Sequence, residues 1–300
     1  MIVVRLWGGL GNQMFQYAFG YSIAKKTNSN LLLDTRFYTE DFISRNPHFK
    51  KQELNLCSLN LEFKEQINRD SELTLVNILQ NRTISRLIRI PPYFSIKVDR
   101  GLKYIKETRL KVYKRIIECP DTNAYYDGYW QSEDYFIDYK QELIRQYYFT
   151  NARIEETVKH YSLQDNNAVS VHMRLGDYGT KKRWIAHYNY VISPKYYIDA
   201  MNEIKIKLGN PKFYIFSNNL TKAKELLGED YNYISINEDR YLSDLEEFIV
   251  MSKCKHHIIS NSTYSWWAAW LSNNGITIAP DIVFGNNRII PQNWSKVKVT

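Results

Sequence analysis

Residues Val169–Asp177 have the sequence Val-Ser-Val-His-Met-Arg-Leu-Gly-Asp. The apolar run at its start predicts a short buried strand that ends beside His172 and Arg174. In alternating α/β chains, ligands bind at the carboxyl ends of the strands. The planar guanidinium of Arg174 suits a pair of phosphate oxygens, which predicts a site for a phosphorylated leaving group. The alternative is an ion pair between Arg174 and Asp177 with a structural role only.

The chain around this stretch alternates strand and helix signals. Ser193-Pro194 is a helix start, and Ser243-Asp-Leu-Glu246 has the spacing of a capping box. The predicted strands are Ala168–Met173, Phe213–Ser217, Tyr231–Ile236, His257–Ser260 and Ile276–Ala279. The predicted helices are about 194–208, 221–227, 244–252 and 265–272. This order predicts a doubly wound lobe with a parallel sheet.

The amino-terminal half begins with a second α/β pattern. Ile2–Leu6 predicts a strand, about 13–26 a helix, and Leu31–Leu33 a strand that ends at Asp34. Helical and extended signals mix from about residue 40 to 120. We therefore predict two lobes, residues 1–150 and 151–300, with a cleft suited to a small-molecule site.

The loop Gly8-Gly-Leu-Gly-Asn-Gln13 lies between the first strand and the first helix. Met14 stands where a dinucleotide-binding loop would have its third glycine, so a nicotinamide site is indicated only weakly, by Asp34 downstream. The loop can instead hold an anion on amides at the helix N-terminus, with Asn12 adding its side chain. A tight turn with Asn12 as the helix cap is the structural alternative.

Two further segments carry groups that suit ligands. Ser260-Asn-Ser-Thr-Tyr-Ser265 precedes a helix, where hydroxyls and amides suit a phosphate or simply cap the helix. Trp266, Trp267 and Trp270 are predicted to be core residues. The aromatic segment 125–136 mixes rings with polar groups and suits an acceptor sugar, whose hydroxyls would contact Gln131, Ser132 or Glu133; a buried turn is equally compatible.

Composition limits the other classes of function. The net charge of +8 favours an anionic partner, yet no nucleic-acid-binding motif is present. Three scattered cysteines and the absence of a signal peptide or a long apolar stretch predict a cytoplasmic protein. Basic residues between Arg82 and Arg115 predict a solvated face or a peripheral contact with an anionic membrane. No Asp-x-Asp pair occurs, so a diphosphate would rely on Arg174 and helix amides.

These segments together resemble the bacterial α1,2-fucosyltransferases of glycosyltransferase family 11. The matching motifs are Gly8-Gly-Leu-Gly-Asn-Gln-Met-Phe-Gln-Tyr-Ala18, Gly128-Tyr-Trp-Gln-Ser132, His172-Met-Arg-Leu-Gly-Asp-Tyr178 and residues 254–271 with their Asn-Ser-Thr-Tyr-Ser-Trp-Trp core. The resemblance implies two Rossmann-like lobes of the GT-B type. It also implies inverting, metal-independent transfer of L-fucose from GDP-L-fucose to a galactoside 2-hydroxyl.

The resemblance also implies roles for individual residues. The donor-binding residues are Gly11, Asn12, His172, Arg174, Glu247, Ser262 and Thr263, with Arg174 and Ser262–Thr263 on the diphosphate and Glu247 (or Asp244) near the guanine. The acceptor-side residues are Asp127, Trp130, Gln131 and Glu133. Leu175 stands where many relatives have a second arginine, and Lys181-Lys-Arg183 where α1,6-acting relatives have a carboxylate.

Asp177 is therefore the predicted catalytic base beside Arg174, with Asp127 or Glu133 as the alternatives. The acceptor is expected to be a galactose-terminated oligosaccharide or a lipid-linked glycan such as an O-antigen. Two other functions stay open from the residues alone: a nicotinamide-dependent oxidoreductase, and a carbohydrate-binding protein without catalytic activity.

Overall fold

The computed structural model describes residues 1–45, 51–69, 73–80, 96–107, 114–175, 192–228, 231–239, 241–272, 275–283 and 289–299. The chain divides into two compact units, Met1–Tyr148 and Phe149–Thr300. The boundary lies two residues from the one predicted. Each unit is built on its own sheet of mostly or wholly parallel strands.

The N-terminal unit holds six strands and five helices in its described residues. The strands are β1 (Ile2–Arg5), β2 (Leu31–Asp34), β3 (Glu65–Ile67), β4 (Ile96–Lys97), β5 (Lys103–Lys106) and β6 (Ala124–Asp127). The helices are α1 (Leu10–Lys26), α2 (Glu40–Arg45), α3 (Thr74–Gln80), α4 (Lys114–Glu118) and α5 (Lys140–Gln146). Helix α1 is apolar on nearly every face, and it is buried along most of its length.

The strand order in this sheet is β3-β2-β1-β6-β5-β4, and only β4 runs antiparallel among the described strands. The order reverses between β1 and β6, because β2 and β3 lie on one side and β5 and β4 on the other. Such a reversal opens a crevice at the carboxyl ends of the two strands. The loops that follow β1 and β6 carry the Gly8–Gln13 and Gly128–Ser132 motifs, so both meet at this edge.

The C-terminal unit follows the prediction closely. Its strands are β7 (Ala168–Met173), β8 (Lys212–Ser217), β9 (Tyr233–Ser235), β10 (His256–Ile258), β11 (Thr277–Pro280) and β12 (Ser295–Val297). Its helices are α6 (Ala152–Tyr161), α7 (Pro194–Leu208), α8 (Leu220–Leu227), α9 (Asp244–Ser252) and α10 (Thr263–Ser272). All described strands of this sheet pair in parallel.

The core of this unit lies between β7, β8 and helix α7. Tyr197, Ala200, Met201 and Ile204 recur at helical spacing, and all four are buried against Val171 and its neighbours. Trp266, Trp267 and Trp270 are also buried, as predicted. The strand order β12-β11-β10-β7-β8-β9 reverses between β7 and β10. The motif at 172–175 covers the end of β7, and the segment at 260–265 follows β10.

Candidate functional site

The first candidate site lies at the carboxyl ends of β7 and β10, where the strand order of the C-terminal sheet reverses. His172 is buried near the end of β7, and its Nδ1 lies 2.7 Å from the hydroxyl oxygen of Ser260, just after β10. Burial, reinforced by the charge of Arg174, lowers the pKa of His172 to about 3. The imidazole is therefore neutral at physiological pH and acts as a hydrogen-bonding group rather than as a charge.

Arg174 follows β7, and its side chain is exposed. The backbone on both sides of it is held in place. The hydroxyl of Ser217 donates to the carbonyl of Met173 over 2.6 Å, and the Leu175 N–H donates to Oδ1 of Asn218 over 2.9 Å. An arginine on a fixed backbone at a strand end presents its guanidinium to a ligand with little backbone reorganisation, which is the geometry that an anion site needs.

The N-terminus of helix α10 is the second element at this edge. Helix α10 begins at Thr263, two residues before the predicted start at Ser265, because Ser262 provides the cap. The Ser262 hydroxyl accepts from the Tyr264 N–H at 3.3 Å, and the Ser262 N–H donates to the carbonyl of Ser260 at 2.8 Å. Ser262 is buried and Thr263 is partly exposed. The positive end of the helix dipole there favours an anion.

Tyr264 connects this helix start to helix α9. Its ring lies against His172, 5.7 Å between centroids, and its hydroxyl donates to the carbonyl of Asp244 at 2.6 Å. Helix α9 itself begins with the predicted capping box, since the Ser243 hydroxyl accepts from the Glu246 N–H and the Glu246 carboxylate accepts from the Ser243 N–H. The sequence-based prediction of this start is confirmed.

The two adjacent glutamates of α9 have different surroundings. Glu246 is buried and also accepts from Asn151, the N-cap of α6, and from Arg153 in its first turn, so its role is structural. Glu247 is partly exposed, and its Oε2 accepts from the Asn237 amide at 2.5 Å. Asp244 is exposed. Of the two predicted guanine-side carboxylates, Glu247 has the more fixed position.

Asn237 holds the loop beside Glu247 in shape. Its backbone has a left-handed φ of 63°, and its side chain also accepts from the Leu242 N–H and donates to the Leu242 carbonyl. We expect Asn237→Ala to lower the free energy of unfolding by about 2 kcal/mol, because buried backbone groups of Leu242 lose their partners. Equilibrium urea unfolding measures this. The exposed Asn210→Ala is the control, and equal effects of the two substitutions would contradict the assignment.

The second candidate site lies at the carboxyl ends of β1 and β6 in the N-terminal unit. Helix α1 begins at Leu10 with Gly9 as its cap, so the expectation that Asn12 caps the helix is wrong. Asn12 lies in the first turn instead, where its Oδ1 accepts from Nε2 of Gln131 at 3.0 Å, and Gly11 is buried beside it. The β1 loop and the β6 loop are thereby joined by the two predicted polar residues.

Two of the predicted acceptor-side residues are buried. Trp130 has a left-handed φ of 55°, which turns its ring into the core, where it stacks on Phe19 at 4.3 Å and is fully buried. Asp127 is also buried; its Oδ1 accepts from Arg5 at 3.1 Å and its Oδ2 from the Tyr104 hydroxyl at 2.6 Å. Neither side chain presents a free surface to a sugar in this structure, and a role of either at the acceptor stays a prediction.

Gln131 and Glu133, by contrast, are partly exposed. So are Trp7 and Tyr129, which the sequence analysis did not single out and whose rings stack at 4.2 Å between centroids. Glu107, directly after β5, is likewise absent from the sequence-based predictions. The short strand Lys103–Lys106 could have pointed to Glu107, but it lies in the region where helical and extended patterns mix. Asp177, the predicted base, lies outside the described residues.

The described residues lack two features. They contain no cluster of three or more His, Cys, Asp or Glu side chains arranged to hold a metal ion. None of the helices in the described ranges has the length and apolar character that crossing a bilayer would require.

Similar proteins place this chain in a family. The sequence pattern of "Glycosyl transferase family 11" matches residues 1–294. An α-1,2-colitosyltransferase of Escherichia coli is 30% identical over 99% of both chains. The O-antigen biosynthesis glycosyltransferase WbnK of Escherichia coli is 27% identical over 94% of this chain and 95% of its own. A galactoside α-(1,2)-fucosyltransferase 2 of Gorilla gorilla gorilla is 22% identical over 91% of this chain and 69% of its own.

The fold has a solved counterpart. A crystal structure of the NodZ α-1,6-fucosyltransferase, soaked with GDP-fucose, matches with a TM-score of 0.51 over 94% of each chain at 14% identity. The predicted α/β architecture, two Rossmann-like units of the GT-B type, is thereby confirmed. The family match favours glycosyl transfer over the oxidoreductase alternative. The chain belongs to glycosyl transferase family 11 and is an α-1,2-fucosyltransferase-like glycosyltransferase.

Proposed function

We propose that the protein transfers L-fucose from GDP-L-fucose to the 2-hydroxyl of a galactoside, with inversion at the anomeric carbon and without a metal ion. The observation that carries the proposal is the meeting of Arg174, the His172–Ser260 pair and the capped start of α10 at the β7/β10 edge. Positive groups meet there at a strand-order reversal, which suits a nucleoside diphosphate.

The donor half of the proposal assigns the leaving group to the C-terminal unit. When the bond between the sugar and the β-phosphate breaks, negative charge grows on the phosphate oxygens. Arg174 and the amides near Ser262 and Thr263 stabilise that charge, and donors that are already oriented do so with little reorganisation. His172, being neutral, contributes a hydrogen bond. Glu247 binds the guanine edge, where a carboxylate accepts from ring and exocyclic N–H groups.

The acceptor half assigns the galactoside to the N-terminal unit. Gln131 and Glu133 are partly exposed there, and Gln131 donates to Asn12 in the first turn of α1. Gly11 and Asn12 themselves are proposed to contact the donor from this unit. The acceptor is a galactose-terminated oligosaccharide or a lipid-linked glycan, in keeping with the O-antigen relative. Peripheral contact with an anionic membrane stays a prediction; five of the eleven basic residues behind it, between Arg82 and Arg115, lie outside the described ranges.

A second donor is proposed because the relative at 30% identity is a colitosyltransferase. Colitose is L-fucose without its 3-hydroxyl group, so both sugars present the same anomeric centre and the same 6-methyl group. A donor site that binds through the GDP moiety accepts either sugar unless a residue hydrogen-bonds to the 3-hydroxyl. Rates with the two donors therefore report whether such a residue exists.

The experiment is incubation of the purified protein with GDP-L-fucose or GDP-colitose and a panel of galactosides, with and without EDTA. We expect GDP release that depends on both substrates, an α-1,2 linkage in the NMR spectrum of the product, and a rate unchanged by EDTA. Binding of galactosides without GDP release would favour the non-catalytic alternative. A product linked elsewhere, or loss of activity with EDTA, would contradict the corresponding part of the proposal.

A further inference from the structure

Glu107 lies at the same edge of the N-terminal sheet as the predicted acceptor residues. It directly follows β5, which pairs with β6 so that Lys106 is opposite Asp127. The Glu107 N–H donates to the carbonyl of Asp127 at 2.9 Å, which continues the ladder by one residue. The parallel register therefore brings Glu107 beside the loop that follows β6, although about twenty residues separate them in the chain.

The β6 loop closes around one oxygen of this carboxylate. Oε2 of Glu107 accepts from the Tyr129 N–H at 2.6 Å and from the Trp130 N–H at 3.3 Å. Gly128 has no space for a side chain, because a Cβ there would lie 2.4 Å from the Cβ of Glu107. Among the residues that the structure describes, nothing hydrogen-bonds to the other oxygen, Oε1. One oxygen is thus anchored and the second is left to accept a proton.

A partly exposed aromatic surface adjoins the anchored carboxylate. Tyr129, whose N–H holds Glu107, stacks on Trp7 with ring centroids 4.2 Å apart. The Arg5 guanidinium lies over the Trp7 ring, 5.4 Å from its centroid. Rings that are partly exposed and fixed by stacking suit the apolar face of a hexose, and a carboxylate beside them suits its hydroxyl groups.

Two carboxylates near this edge, Asp127 and Asp34, already have partners. Asp127 is paired with Arg5 and Tyr104, and these partners hold its pKa below its usual range despite its burial. Asp34 is paired with Arg36 and accepts from the Tyr125 hydroxyl. Burial raises the pKa of Glu107 to about 7, and the nearby charge of Asp127 also raises it. The hydrogen bonds from the Tyr129 and Trp130 N–H groups lower it by a smaller amount. A carboxylate with such a pKa is a stronger base than a solvated one.

We propose that Glu107 is the catalytic base of the reaction proposed above, acting on a galactoside that stacks on Trp7 and Tyr129. The galactoside oxygen forms a bond to the anomeric carbon while the bond from that carbon to the β-phosphate oxygen breaks. GDP leaves with the electron pair of the broken bond. The hydroxyl proton passes to Oε1 of Glu107, which becomes a neutral acid and later releases the proton to water.

The test compares Glu107→Gln with the wild-type enzyme in the assay for GDP release. The glutamine keeps an oxygen for the Tyr129 and Trp130 N–H groups but cannot take a proton, so we expect turnover to fall about a hundredfold or more. GDP affinity and the melting temperature stay unchanged. Glu118→Gln, an exposed glutamate of the same unit, is the matched control and keeps full turnover.

Two further measurements keep the proposal falsifiable if Glu107→Gln folds poorly. Wild-type kcat/KM is expected to fall as the pH drops below about 7, because Glu107 must be ionised to accept the proton. Trp7→Ala is expected to raise the KM for the galactoside about tenfold and leave the KM for the donor unchanged. A kcat/KM that does not change between pH 6 and 8, roughly one unit on either side of the Glu107 pKa, would overturn the role of Glu107.

Different outcomes of these experiments would contradict the proposed function and the role of Glu107. Wild-type protein that releases no GDP with any galactoside contradicts the proposed function, and with it the base. Active wild-type protein together with an active Glu107→Gln variant contradicts Glu107 alone. If Asp177→Asn abolishes transfer while Glu107→Gln does not, the base is Asp177, as predicted from the sequence.

Discussion

Arg174→Ala is expected to lower kcat about a hundredfold, which corresponds to roughly 3 kcal/mol of lost transition-state stabilisation. The guanidinium is proposed to meet charge that grows on the β-phosphate only as the sugar departs, so its removal affects kcat and not only KM. Because the Arg174 side chain is exposed at the end of β7, its removal opens no cavity in the core. GDP release at saturating substrates measures the loss, and a thermal melt checks the fold.

Two companion variants sharpen this experiment. Arg174→Lys keeps the charge but not the planar fork of donors, so we expect a smaller loss than with alanine. Lys222→Ala removes an exposed cation from helix α8 in the same unit and is expected to leave turnover unchanged. Near-normal turnover of Arg174→Ala would exclude the proposed role of this residue on the diphosphate.

Asp127→Ala is expected to lower the free energy of unfolding by about 3 kcal/mol at neutral pH. The substitution leaves the mostly buried Arg5 without its partner, and an uncompensated buried charge costs far more than the pair contributes. It also deprives the Tyr104 hydroxyl of its acceptor. Equilibrium urea unfolding measures the change. Asp121→Ala, which breaks a half-exposed pair with Lys103, is the control and is expected to cost less than about 1 kcal/mol.

The pH dependence of this difference has a definite sign. Arg5 and Tyr104 hold the pKa of Asp127 below its usual range in the folded protein. Its stabilising contribution is therefore fully present above about pH 4, the value in the unfolded chain, and is lost as the pH falls through the lower folded value. The difference in the free energy of unfolding between wild type and Asp127→Ala is expected to become smaller at acidic pH. An Asp127→Ala protein as stable as wild type at pH 7 would show that the pair is dispensable.

Much of the C-terminal unit could be predicted from the sequence because its signals are local. Ser193-Pro194 and the Ser243–Glu246 box each mark a helix start within one turn, and both starts lie where predicted. The strand Ala168–Met173 has exactly the predicted bounds. Helix α10 begins two residues before the predicted Ser265, since several residues of the Ser260–Ser265 segment can cap a helix and the neighbouring chain decides which one does.

The middle of the N-terminal unit was harder to predict for a physical reason. In β5, Tyr104 and Ile105 are consecutive and both buried, with a lysine on either side, so the strand lacks the alternation that marks a half-buried strand. Strand β4 is only two residues long. Such strands are stabilised by hydrogen bonds to neighbouring strands in the sheet. The residues of those neighbouring strands lie elsewhere in the sequence, so no local pattern predicts the pairing.

The amino-acid sequence by itself determined that this chain folds into two α/β units, each with a mainly parallel sheet. It also located the Arg174 motif and the start of α9, because strand patterns and helix caps depend on residues that are adjacent in the chain. Only the tertiary structure decided which aromatic rings face outward and which carboxylate keeps an oxygen without a partner among the described residues. Trp130 turns inward through its left-handed backbone, whereas Tyr129 stays at the surface. Glu107 meets the β6 loop through strand register, which no local pattern encodes.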